Sequence, residues 1–218
     1  MTPVKTPADA VRLSRRDRAD ATRLRIVKAA YDLFCERGYA GTMLADVAER
    51  SGVAVQTVRF VFHTKAELLS RAYDFAVLGE GEPVPPQRQP WWLAAAEEAE
   101  LAAAARHLAS GVGALLVRAT PLDTMVRGSV TGDPDTARVR AVHEQWRAEG
   151  YREMLDLLVA KAPLRPGLAP ERATDLLLLY LGMDVYRALV TDLGWSHEAW
   201  TDWAVATIAL ELFAADSP

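Results

Sequence analysis

Between Thr42 and Lys65 the chain reads TMLADVAERSGVAVQTVRFVFHTK, and its chemically able side chains gather on one side of a short helical repeat. Val55, Gln56, Arg59 and Phe60 share a side that is free to enter a groove of double-stranded DNA. Arg59 carries a permanent charge and a planar fork of donors, so it suits either a backbone phosphate or the O6 and N7 edge of a guanine. Phe60 offers an apolar contact to a thymine methyl, and packing within the motif is its other use. Lys65 opens a helix, where a cation works against the helix dipole. That placement suggests a phosphate clamp built from the ammonium and the free backbone N–H groups.

The elements that must hold these groups follow from apolar spacing. Leu44, Val47 and Ala48 fall at i, i+3 and i+4, one buried side of a short helix. Gly52 follows Ala48 by four residues and can take the left-handed conformation that ends a helix. Val53, Val58 and Phe62 then form the apolar side of the second helix. Ala48 is small enough for the two helices to cross closely, as a helix-turn-helix requires, although a plain helical corner shows the same spacing. Thr42 is the expected N-cap before Met43, and Thr64 with Glu67 makes a capping-box pattern for the next helix. A preceding helix is expected from Ala19 to Arg37, burying Ile26, Ala30, Leu33 and Phe34 and ending at Gly38. Residues 1–18, with Arg12, Arg15, Arg16 and Arg18, read as a mobile basic arm that lies along phosphates or stays in solvent.

From Arg23 the chain runs RLRIVKAAYDLFCERGYAGTMLADVAERSGVAVQTVRFVFHTKAELLSRAY. This stretch resembles the amino-terminal domain of TetR-family transcriptional regulators through AAYDLFCERGY, the Gly41-Thr42 pair, DVAERSGV, Thr57-Val58, Phe62 and KAELL. The resemblance implies DNA contacts from Thr42, Met43, Ala54, Val55, Gln56, Thr57, Arg59, Phe60 and Lys65. It also implies a homodimer on a palindromic operator and a repressor released by a small molecule. Three positions depart from the pattern: Ala54 replaces the usual Ser, Arg59 the usual Tyr, and Val61 the usual aromatic or His. They leave the fold intact and put the family's phosphate contacts in question at those places.

Charge agrees with this division of labour. Residues 1–75 hold 13 Lys and Arg against 9 Asp and Glu, a net of +4, whereas the rest holds 12 against 20, a net of −8. The basic part contains the motif. A single cysteine, Cys35, precludes an intrachain disulfide and a Cys-pair zinc site, and a buried thiol beside Phe34 is expected. The first residues lack the apolar core of a signal peptide, and the longest apolar run, near Leu176–Leu181, is far shorter than the ~20 residues of a spanning helix. A cytoplasmic protein without metal or cofactor is expected.

Residues 79–90, GEGEPVPPQRQP, contain four prolines and two glycines and read as a linker. From 91 to 218 the pattern is helical, broken at Pro121, Gly132-Asp133-Pro134, Pro163–Pro170 and Gly194-Trp195-Ser196, which leaves about five helices. The Ala-rich stretch 94–105 is good helix former, and Leu176, Leu179, Tyr180, Met183, Tyr186 and Leu189 contribute to one apolar stripe. Catalysis is not expected: His107, His143 and His197 are isolated, and His143-Glu144 lacks the second His of a zinc-protease motif because Arg147 occupies its place. Neither Ser110 nor Ser129 is flanked by the glycines of a nucleophile elbow. A ligand-sensing bundle fits better, with Met125, Trp146, Tyr180, Met183 and Asp184 as pocket candidates, each weighed against ordinary core packing. Asp184, inside LLLLYLGMDVY, is expected to be a buried carboxylate that needs a cationic partner, Arg187 being one. Tyr186, Trp195, Trp200 and Trp203 offer aromatic surface for dimerisation. The expected architecture is all-α: an amino-terminal three-helix DNA-binding domain over 19–78, then a helical-bundle ligand-binding and dimerisation domain over 91–218. A ligand-independent repressor with a filled carboxy-terminal core is the alternative.

Overall fold

The computed structural model describes residues 14–79, 84–129 and 132–214. The first helix, α1, spans Arg15–Arg37. It starts earlier than expected because Ser14 and Asp17 form a capping box, Ser14 Oγ accepting from Asp17 N at 3.1 Å and Asp17 Oδ2 from Ser14 N at 2.9 Å. Arg15, Arg16 and Arg18 are therefore helical, and the remainder of the predicted arm, Arg12 included, lies outside the described residues. Helices α2 (Leu44–Ser51), α3 (Val55–Val61) and α4 (Lys65–Leu78) follow. Gly52, at φ +67°, turns α2 into α3 with its N–H bonded back to Ala48 and Glu49. Ile26, Ala30, Leu33 and Phe34 of α1 bury against Val47, Ala48, Val58, Phe62, Leu68 and Leu69, all at 1% exposure or less.

After a 3₁₀ turn at Pro86–Arg88 come α5 (Pro90–Glu97), α6 (Leu101–Ser129), α7 (Pro134–Val159), α8 (Pro170–Tyr180), α9 (Met183–Tyr186) and α10 (His197–Leu212). Helix α9 continues as a π-helical turn over Arg187–Asp192. The central element is α6, which packs on α1, α4, α5, α7, α9 and α10. Both halves of the chain thus share one scaffold, through α4 and α6.

At three places the chain departs from what local propensity and spacing alone would give. Pro121 does not break the chain but sits within α6. The carbonyl deprived of its donor is that of Val117, whose side chain is 56% exposed, so water can serve it while Ala119, Leu122 and Val126 stay buried. The Ala-rich stretch 94–105 is interrupted at Glu98–Glu100: Lys161 Nζ donates to the carbonyls of Ala96, at 3.1 Å, and Glu98, at 2.5 Å, so a tertiary contact outweighs alanine's propensity. Leu176 to Leu189 is two helices, because Leu181 and Gly182 separate α8 from α9, and Tyr151 Oη donates to the Leu181 carbonyl at 2.5 Å. A Cβ at Gly182 would collide with the Leu178 carbonyl oxygen. Among the described residues no helix is long and apolar enough to cross a membrane.

Candidate nucleic-acid interface and ligand cavity

On α3 the buried residue is Val58, with Phe62 closing the helix beneath it, while Gln56, Arg59 and Phe60 face outward. Phe60 is 82% exposed and Met43 64%, so both offer apolar surface to a partner. Among the described residues Arg59 makes no hydrogen bond or ion pair, so its guanidinium is available. Val55 and Thr57 are half-buried, Val55 packing on the core, and Ala54 provides no side-chain cap for α3.

Two candidates take other roles. Thr42 is buried, its hydroxyl donating to Gly38 O at 2.9 Å and Leu33 O at 3.1 Å, and Met43 occupies the N-cap position. Asp46, three residues on, reaches back and accepts from Met43 N at 2.9 Å. Thr42 thus anchors the loop to the end of α1. Lys65 Nζ donates to Thr42 O at 2.9 Å and lies 4.2 Å from the centre of the Tyr39 ring. Burial lowers its pKa against the opposing pull of Asp133. The ammonium locks the loop before α2 onto the start of α4, so any phosphate contact by its charge must compete with these partners. Thr64 Oγ1 accepts from Glu67 N at 3.0 Å as expected, but Glu67 reaches back to His63 N, at 3.1 Å, one residue beyond the capping box.

In the second half, α4, α5, α6, α7 and α9 enclose a cavity of about 400 Å³ with the segment Pro85–Gln87 at its rim. Its apolar walls include Trp91, Trp92, Leu116, Trp146, Met154 and Met183. Of the five pocket candidates, Trp146 and Met183 line it. Met125 packs on the core without lining it, Tyr180 meets Trp203 edge to face at 6.1 Å, and Asp184 is exposed. The break at Gly182 places Asp184 in the first turn of α9, exposed instead of buried as expected. Its partner is Arg127, at 3.1 Å, whereas Arg187 pairs with Asp192 at 2.7 Å.

A polar wall that spacing did not reveal joins the same helices. Tyr73 of α4 donates a hydrogen bond to Asp123 Oδ1 on α6, and Arg127 Nε donates to Asp123 Oδ2 at 2.6 Å. Burial first, and then Asp123, push the Tyr73 phenol far up, so it remains a donor. Burial opposes the charge of Arg127, but Asp123, Asp184 and Glu144 outweigh it and raise the pKa. Burial similarly opposes the charge of Glu144, and Arg147, Arg140 and Arg127 more than offset it. One signal for this wall lay in the sequence: Asp123 interrupts a mostly apolar helix four residues before Arg127.

His143 of α7 also lines the cavity. Its ring stacks on Tyr73 at 4.2 Å and meets Trp146 edge-on at 5.2 Å. Its Nε2 is buried without a hydrogen-bond partner, 3.9 Å from Asp74. Burial lowers its pKa against the pull of Asp74. The folded protein therefore holds this histidine neutral to lower pH than the unfolded chain, which protonates near ~6.5. Stability from this group is fully present above that pH and is lost as pH falls toward the folded value, with a slope of at most about 1.4 kcal/mol per pH unit. His143→Gln should flatten the difference in melting temperature between about pH 5 and 7.5 relative to wild type. An unchanged pH profile would show that His143 does not contribute.

The dimer candidates divide. Tyr186 and Trp200 are buried within the protomer, their rings edge to face at 4.9 Å, and Trp200 fills the space opposite Gly113. Trp195 is 38% exposed and Trp203 half-buried.

Residues 26–72 match the family described as "Bacterial regulatory proteins, tetR family". The HTH-type transcriptional regulator TtgR of Pseudomonas putida is 41% identical over 59 residues, 27% of this chain. That match spans only 28% of the relative's length. The whole fold resembles NalD, the secondary repressor of the MexAB-OprM multidrug efflux pump in Pseudomonas aeruginosa. The TM-score is 0.64 and the identity 20%, with 89% of this chain and 98% of that one covered. It also resembles FadR of Bacillus subtilis in complex with stearoyl-CoA, with a TM-score of 0.64, 16% identity, and coverage of 85% and 96%. The α1–α4 unit thus matches the DNA-binding domain of the TetR family of transcriptional regulators, and the whole chain shares the all-helical fold of these neighbours.

Proposed function

We propose that this DNA-binding regulator is a repressor that occupies a palindromic operator as a homodimer and is released when a small molecule enters the cavity. The observation that carries the reading is the course of α4. It begins at Lys65, tied to the loop before α2, and presents Tyr73, Asp74, Val77 and Leu78 to the cavity further along the same helix. A ligand that moves this wall displaces the helix on which the DNA-reading unit is mounted. The cavity favours this reading over the ligand-independent repressor with a filled core. NalD, a repressor, and FadR, bound to stearoyl-CoA, support it by analogy of fold.

For the two-fold interface, Leu179 of α8 and Leu210 of α10 are 52% and 76% exposed, and α8 packs on α10, which also carries half-buried Trp203. They replace Tyr186 and Trp200 in the proposed surface, and Trp203 stays in it. Two copies would set recognition helices about 34–36 Å apart or further, matching half-sites of a palindrome.

The experiment is sequencing of DNA that co-purifies with the protein, followed by anisotropy titration of the recovered operator over a salt series. Arg59→Ala should weaken all sequences alike and reduce the salt slope by about 1 if the side chain meets phosphate. If it reads guanine, the loss is instead about 1–3 kcal/mol at one base pair. Cavity ligands and operator should weaken each other by about 5–150-fold, equally in both directions. An asymmetric footprint from a monomer, or a bound ligand that leaves operator affinity unchanged, would overturn the proposal.

A further inference from the structure

Five carboxylates line the cavity, Asp74, Asp123, Glu144, Glu149 and Glu153, against one arginine, Arg147. Three of the five are neutralised within the protein. Asp74 pairs with Arg71 at 3.2 Å, Asp123 with Arg127 at 2.6 Å, and Glu144 with Arg147 at 2.5 Å and Arg140 at 3.3 Å. Arg147 is thereby spent on Glu144 and leaves no free cation on the wall for an anionic ligand.

Glu149 and Glu153 differ. They stand four residues apart on α7, one turn, and so face the same side. Their partners are neutral amides: Glu149 Oε1 accepts from Gln145 at 3.0 Å and Glu153 Oε2 from Gln87 at 2.6 Å. Among the described residues neither meets a cation. The mouth therefore holds two uncompensated negative charges above walls that include three tryptophans, whose π faces attract positive charge. Deeper in the same cavity the buried, unpartnered Nε2 of His143 is a polar group for which the protein supplies no bond.

Resting on the reading of this cavity as the ligand site, we infer that its ligand class is amphipathic organic cations: a flat apolar or aromatic body carrying a protonated amine or quaternary ammonium. The body displaces water from between Trp91, Trp92 and Trp146, and the ammonium sits at the mouth against Glu149 and Glu153. An anionic ligand of the same shape meets the two carboxylates unshielded.

The test uses three probes with one body, 1-pyrenemethylammonium, 1-pyrenemethanol and 1-pyrenecarboxylate, titrated into the full-length protein. Binding is read by energy transfer from tryptophan to pyrene. The ammonium should bind about tenfold more tightly than the alcohol, the size of a partly screened charge contact, and the carboxylate most weakly. The preference should shrink as salt rises. Glu149→Gln/Glu153→Gln should remove it and leave the alcohol's affinity unchanged, a readout that a misfolded variant would not give. Binding of the three probes with equal affinity, or carboxylate first, overturns the charge assignment while leaving the cavity as a ligand site. Absence of binding by all three, or binding that Trp146→Ala leaves unchanged, overturns the ligand site itself and this inference with it.

Discussion

Trp200→Ala should destabilise the protomer by about 3–5 kcal/mol, among the larger losses for a core substitution. Trp200 is fully buried on α10 and has Tyr186 packed edge to face with it. On the other side is Gly113 of α6, where a Cβ would collide with both the indole and the His197 ring. The glycine exists to admit these rings, so truncation leaves a void that neither backbone can fill by moving inward. Trp200→Phe should lose a fraction as much, since the indole Nε1 has no hydrogen-bond partner to forfeit. Denaturant unfolding at several protein concentrations measures both variants. A deficit that does not change with concentration belongs to the protomer core. One that grows on dilution belongs to an interface and would restore Trp200 to the dimer surface.

The amino-terminal unit was legible because everything that makes it is local. The turn at Gly52, the α2 and α3 stripes and the Thr64 cap each depend on residues within one or two helical turns. Thr42 and Lys65 were assigned roles that the fold reassigns, since their partners, Leu33, Gly38 and Tyr39, come from the end of α1 and the loop after it. The cavity was not legible for the opposite reason. Tyr73 and Asp123 are fifty positions apart, and no period in the chain announces that α4 and α6 meet there. Trp146 and Met183 were found by their size and apolarity. Tyr180 and Met125 had the same credentials, and only the direction of their helices separates the two pairs. Asp184 shows how one misplaced helix break reverses a burial assignment: a continuous helix would bury it, and the interruption at Gly182 exposes it.

The contact between Tyr73 and Asp123 should show a coupling energy of about 1–2 kcal/mol in a double-mutant cycle of Tyr73→Phe and Asp123→Ala. Asp123→Ala alone should cost about 2–3 kcal/mol, because it strands a buried phenol and takes from Arg127 the closest of its three carboxylates. The loss stays below that of an isolated buried charge, since Glu144 at 3.6 Å and Asp184 at 3.1 Å still hold the guanidinium. Tyr73→Phe should cost less, about 1–2 kcal/mol, as Asp123 keeps its arginine. Urea unfolding of the four proteins gives the cycle, and additive losses would show that this hydrogen bond contributes nothing of its own. The consequence for switching follows from geography. This contact fastens α4 to α6 at the cavity wall, and Arg127 extends it to Glu144 on α7 and Asp184 on α9, so a ligand pressing on any of these helices acts on α4 through it. Tyr73→Phe/Asp123→Ala should therefore bind operator as wild type does at temperatures where it is folded, yet respond less to cavity ligands. Full retention of the ligand response would place the coupling in apolar packing along α4 instead of in this polar joint.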